Sequence, residues 1–75
     1  MVNDKKAIVE AVKKVFPLST RERIRIEPVS HKMMKGQRLG QYLMNKHVPK
    51  AKPSEYTQLV FNTDDEQAVW QGIYE

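Results

Sequence analysis

Gln37, Arg38, Gln41 and Asn45 are the side chains of this 75-residue sequence best suited to reading another molecule. At about 100° per residue, a helix over residues 37–46 gathers them into one arc of about 100°, with Leu39, Tyr42 and Leu43 across from it. Arginine pairs with guanine, and asparagine or glutamine with adenine, in the major groove of DNA. Lys32, Lys35, Lys46, Lys50 and Lys52 lie near enough along the chain to position phosphates, and Arg21, Arg23 and Arg25 form a second basic row. An ordinary amphipathic helix with a wet side has the same pattern. A helix-turn-helix also needs a preceding helix and a short turn, whereas a strand-like segment and Pro28 come first here.

Other chemistry is thinly supplied. Ser19, Ser30 and Ser54 have only His31 and His47 as bases, and nothing local specifies a triad. Asp64, Asp65 and Glu66 could suggest magnesium, but they follow Thr63 where a helix start gathers acids, so capping is the preferred reading. The two histidines have no zinc spacing and no third ligand. Gly36 and Gly40 do not make a phosphate loop, because Arg38 lies between them and no Lys-Ser/Thr follows. The expectation is therefore a non-enzymatic chain without metal or cofactor.

Charge is uneven. Residues 1–16 hold four lysines against two acids, residues 17–55 nine Lys or Arg against three, and residues 56–75 four acids without a cation, giving +2, +6 and −4 within the total of +4. The middle is a candidate anion-facing surface whose attraction salt would screen. With no cysteine there is no disulfide framework. A single domain spanning 1–75 is expected, since a chain this short buries only roughly 60% of its unfolded surface. The charged start MVNDKKAIVEAVKK is unlike a secretory signal, and no apolar run reaches the ~18 residues of a membrane span. A cytoplasmic location follows as the expectation.

The elements that must position these residues read as α-β-α-β-α, an α+β domain with a two-stranded sheet packed by helices. Asn3 or Asp4 caps a first helix whose Ala7, Ile8, Ala11, Val12, Val15 and Phe16 form a core stripe, and Pro17 stops it. Residues 21–27 alternate charge and isoleucine, which predicts a strand with Ile24 and Ile26 inward; a helix capped from Ser19-Thr20-Arg21-Glu22 competes. The third element is the helix 37–46, with Lys32 as an alternative earlier start, weakened by Gly36 and Gly40. Glu55 to Asn62 offers Tyr56, Thr57, Leu59, Val60 and Phe61, a β-prone run that predicts the second strand. Thr63 and Glu66 then open a helix carrying Val69, Trp70, Ile73 and Tyr74 on one face.

GQRLGQYLMN followed by LVFNTDDEQAVW resembles small bacteriophage and prophage proteins of unknown function, in which a Gly-Gln-x-Leu-x-Asn-like helix precedes an aromatic-Asp-Asp-helix ending. The match covers Gly36 to Asn45 and Leu59 to Trp70, 22 of 75 residues. What the resemblance implies is a context, in which short phage products act stoichiometrically on host proteins or on DNA. The leading expectation is a small binding protein that engages a host protein through a basic, partly apolar surface containing Arg38, Gln37, Gln41, Tyr42, Asn45, Lys35 and Lys46. Met33, Met34 and Met44 suit irregular partners, and Tyr42, Trp70 and Tyr74 could anchor an interface, though core filling competes for each. The alternatives are a DNA- or RNA-binding regulator using the 37–46 helix, and a structural homo-oligomer paired through a strand edge or an apolar helix face.

Overall fold

Pro17 and two helix caps decide this fold, and the described residues are all-helical where the sequence predicts α+β. The computed structural model describes residues 5–29 and 35–75. Among the described residues there are five helices and no strand: α1 (Lys5–Val15), α2 (Leu18–Ile26), α3 (Leu39–His47), α4 (Glu55–Asn62) and α5 (Glu66–Tyr74). Helix α1 buries Ile8, Val9, Ala11, Val12 and the following Phe16, while Ala7 and Val15 are half-buried.

The expected first strand is helix α2. Pro17 ends α1, and its own carbonyl accepts the first bond of α2 from Arg21 N at 2.9 Å. No side chain caps this helix, so the Ser19-Thr20 capping box does not form. Two isoleucines two residues apart lie about 200° apart on a helix; Ile24 is accordingly 1% exposed and Ile26 84%. Arginines four residues apart share a face instead. Arg21 Nε donates to the Phe16 carbonyl at 3.0 Å, and Arg25 Nε to the Ile73 carbonyl at 2.9 Å, which satisfies acceptors at the ends of α1 and α5. A lone pair of strands would have left its edges unpaired; a helix closes its own backbone bonds.

The expected second strand is helix α4, and its cap is the reason. Ser54 Oγ accepts from Thr57 N at 3.2 Å while Ser54 N donates to Thr57 Oγ1 at 2.8 Å, a capping box that outweighs the β preference of Tyr56, Val60 and Phe61. Asp65 caps α5 by accepting from Ala68 N at 3.1 Å, and Thr63 Oγ1 accepts from Asp65 N at 3.1 Å. The acids at 64–66 thus sit at a helix start. Tyr74 does not share the core face of Val69 and Ile73: it is 60% exposed, and Trp70 is only partly buried at the core edge.

Helix α1 packs mainly against α5 and α4; α2 rests on α5, and α3 on α4 and α5. Phe16, Ile24, Leu43 and Ile73 are the largest fully buried side chains. Two glycines allow the helices to cross closely. A Cβ on Gly72 would lie 2.7 Å from Val12 Cβ, and one on Gly40 only 1.9 Å from the Val60 carbonyl oxygen. Gly40 is therefore required at the α3–α4 crossing, not merely tolerated in a weakened helix.

Candidate functional site

The four-residue polar arc is not carried by a single helix. Lys35 and Gly36 adopt φ of 50° and 85°, a left-handed pair that delays the helix, so α3 begins at Leu39. Gln37 lies before it, half-buried, its Oε1 enclosed without a hydrogen-bond partner among the described residues. Arg38 occupies the N-cap position in an extended conformation and pairs with Asp64 at 2.7 Å. Only Gln41 and Asn45 of the arc are on α3, half-buried and exposed respectively. Lys32 and a helix start near it fall outside the described residues, as do the Asn3 or Asp4 cap of α1 and Ser30, His31, Met33 and Met34, so the His31–His47 pair and the methionine surface are not described.

The basic row is divided in the same way. Arg21 and Arg25 spend their Nε donors on carbonyls, and the Arg25 guanidinium also lies 5.7 Å from the Tyr74 ring centre, which in turn lies 6.1 Å from that of Trp70. Lys46 pairs with Glu27 and sits 5.8 Å from the half-buried Tyr42 ring. Lys35, Arg23, Lys50 and Lys52 remain exposed, on three separate segments. Met44 is a core residue.

His47 closes the contact between the C-terminal ends of α2 and α3. Its side chain is 6% exposed, with Nε2 3.4 Å from Glu27 Oε2. Burial holds its pKa below the usual value, and the Lys46 and Arg23 charges push the same way. No group of three or more His, Asp or Glu capable of holding a metal ion occurs among the described residues.

The outer arc of α2 gathers what the sequence reading missed. Leu18 is 56% exposed and Ile26 84%, on one side of the helix and about 12 Å apart along it. Glu22 lies between them, Arg23 borders one edge, and Arg25 with the exposed Tyr74 borders the other. The signal was available once α2 was helical, because only one of two isoleucines two apart can face a core. A second feature lies between α1 and α4, an open groove of about 780 Å³. Ile8, Leu59 and Tyr56 line its apolar part, and Glu10, Glu55, Asp64 and Asp65 its edge. A smaller recess beside Met44, Val48 and Phe61 is lined in part by Asn45.

Compared with known proteins, the chain matches no family model, and neither a curated protein nor a solved structure is significantly similar to it. Among the described residues no helix is long and apolar enough to cross a membrane.

Proposed function

We propose that this chain is a small non-enzymatic protein-binding domain of the cytoplasm that docks through the outer face of α2. The observation that carries the reading is Ile26, 84% exposed on a helix whose other isoleucine is 1% exposed. A large aliphatic side chain held in water on a rigid helix gains about 1.5–3 kcal/mol when a partner buries it. Leu18 supplies a second apolar anchor two turns away, and Arg23 and Arg25 edge the stripe. The complementary partner is a protein presenting an apolar recess edged by carboxylates. A host protein is the partner class that the phage resemblance implies.

For nucleic-acid binding, the helical α2 removes the objection that a strand precedes the reading helix, but twelve residues separate Ile26 from Leu39, more than a short turn, and the candidate reading residues are otherwise placed. Gln37 and Arg38 precede α3, and Arg21, Arg25, Arg38 and Lys46 are each engaged within the fold. The test is capture from a bacterial lysate with the wild-type chain, Ile26→Glu and Arg23→Glu as baits, each checked for helicity by circular dichroism. The expected outcome is a specific protein retained by the wild type and lost with both variants. An identical retained set for all three baits, or salt-sensitive DNA or RNA binding that Ile26→Glu leaves unchanged, would refute the reading.

A further inference from the structure

The surface that α2 requires is present on the same molecule. Although the chain carries a net +4, four carboxylates collect at the edge of the α1–α4 groove, around an apolar floor. Two of them already have cationic neighbours: Asp64 pairs with Arg38 at 2.7 Å, and Glu10 with Lys13 at 3.7 Å. Glu55 and Asp65 have no ion pair among the described residues. We propose that a second copy of this chain seats the outer face of its α2 in this groove, in a head-to-tail contact. The proposal rests on α2 being a docking face and names one occupant for it.

Three observations support the fit. In charge, α2 holds three arginines against one glutamate, and exposed Arg23 can reach the unpaired Glu55. The one acid on the arc, Glu22, meets a cation as well, since the Lys14 ammonium lies 5.3 Å from the centre of the Tyr56 ring beside the groove. In size, an opening of about 780 Å³ admits the two aliphatic side chains that α2 exposes. In placement, α2 rests on α5 while the groove lies between α1 and α4, so one copy offers both surfaces at once.

Two unlike surfaces make a heterologous contact, which extends into a ring or a chain of copies instead of stopping at a symmetric pair. The groove is small beside a standard interface, which places the association in the weak range of about 10 µM to 1 mM. Self-association covers Ile26, the residue offered to a foreign partner. A second copy and that partner therefore compete, and dilution releases the docking face.

Sedimentation velocity over that concentration range tests the proposal with two surface variants. Ile26→Glu spoils the α2 face and keeps the groove; Glu55→Lys spoils the groove and keeps α2. The wild type should sediment faster as concentration rises, and added salt should reverse the effect. Each variant alone should associate about tenfold or more weakly than the wild type at every concentration. An equimolar mixture of the two should form a dimer and nothing larger, because each partner keeps one working surface. A wild type that is monomeric throughout overturns the proposal, as does a mixture that fails to dimerise or a single variant that self-associates like the wild type. A monomeric wild type leaves the docking role of α2 intact, since that role is read from lysate capture. Loss of retention on Glu55→Lys by an otherwise monomeric chain would instead assign the groove to a cationic segment of another protein.

Discussion

Gly40→Ala sets two opposing effects against each other, and the structure decides the sign. Replacing glycine with alanine inside a helix normally stabilises by up to about 1 kcal/mol, and less at the second residue of α3, where Gly40 stands. Against this, the new Cβ would lie 1.9 Å from the Val60 carbonyl oxygen. Even to reach 3.0 Å, a separation below which real Cβ atoms are essentially never found, the two backbones must part by at least the difference of 1.1 Å. A gap of that order forfeits about half of each dispersion contact across the crossing, including those around buried Leu43 and Val60. Overpacking of this kind costs about 3 kcal/mol or more, so the net effect is a destabilisation of about 2 kcal/mol. That is a large part of the ~4–11 kcal/mol expected for 75 residues, and it corresponds to a midpoint lower by about 8–16 °C. Thermal and urea unfolding followed by far-ultraviolet circular dichroism would measure it. Val60→Ala removes the side-chain contact at 3.1 Å but not the carbonyl, so adding it to Gly40→Ala should restore nothing. A Gly40→Ala chain as stable as the wild type, or more stable, would refute the close backbone crossing.

Three further outcomes check other parts of the fold. Ile24→Ala should cost about 2–5 kcal/mol in urea unfolding, while Ile26→Ala should change stability by less than about 0.5 kcal/mol; equal costs would return α2 to a strand with both isoleucines inward. Ser54→Ala removes the acceptor for Thr57 N and should cost about 1 kcal/mol, read in the same assay; a neutral result would remove the cap as the cause of α4. For His47 the folded pKa lies below 6.5, so the neutral ring is favoured by folding. Its contribution is fully present above that value and is lost as pH falls through the folded pKa. An NMR titration of the ring should place its midpoint below 6.5; a midpoint above it would mean that Glu27, 3.4 Å away, outweighs burial and the two cations.

Much of α1 was legible because six apolar positions at helical spacing leave little choice, and Pro17 marks its end. The placement of 21–27 was not, because two apolar residues cannot distinguish a period of 2 from one of 3.6. The deciding information lay in Arg21 and Arg25, whose acceptors are the Phe16 and Ile73 carbonyls. One of those acceptors is local and the other comes from the far end of the chain. The stretch 55–62 reads as a strand for a local reason: its β-prone side chains outweigh, in sequence, the Ser54-x-x-Thr57 pattern that forms a reciprocal cap. At 63–66 the helix start was legible but not its cap: the expected Thr63–Glu66 pairing does not form, Asp65 caps α5 and Thr63 only supports it. For the candidate site the start of α3 was misplaced by two residues, since the left-handed Lys35 and Gly36 leave Gln37 and Arg38 ahead of the helix that was to carry them. The two exposed anchors of α2 could be recognised only after that segment was known to be helical.

The pairing of α1 with α5 also constrains how the domain comes into being. Helices of eight to eleven residues have little stability alone in water, and α1 draws its largest packing surface from residues 66–74. During synthesis on a ribosome, α1 and α2 therefore emerge before the helix on which both of them rest. Their apolar sides, including Val12 and Ile24, stay available to chaperones until α5 clears the exit tunnel. The domain closes in one late, non-local step, and a nascent chain stalled ahead of Glu66 would offer the cell's quality-control machinery an unsealed core.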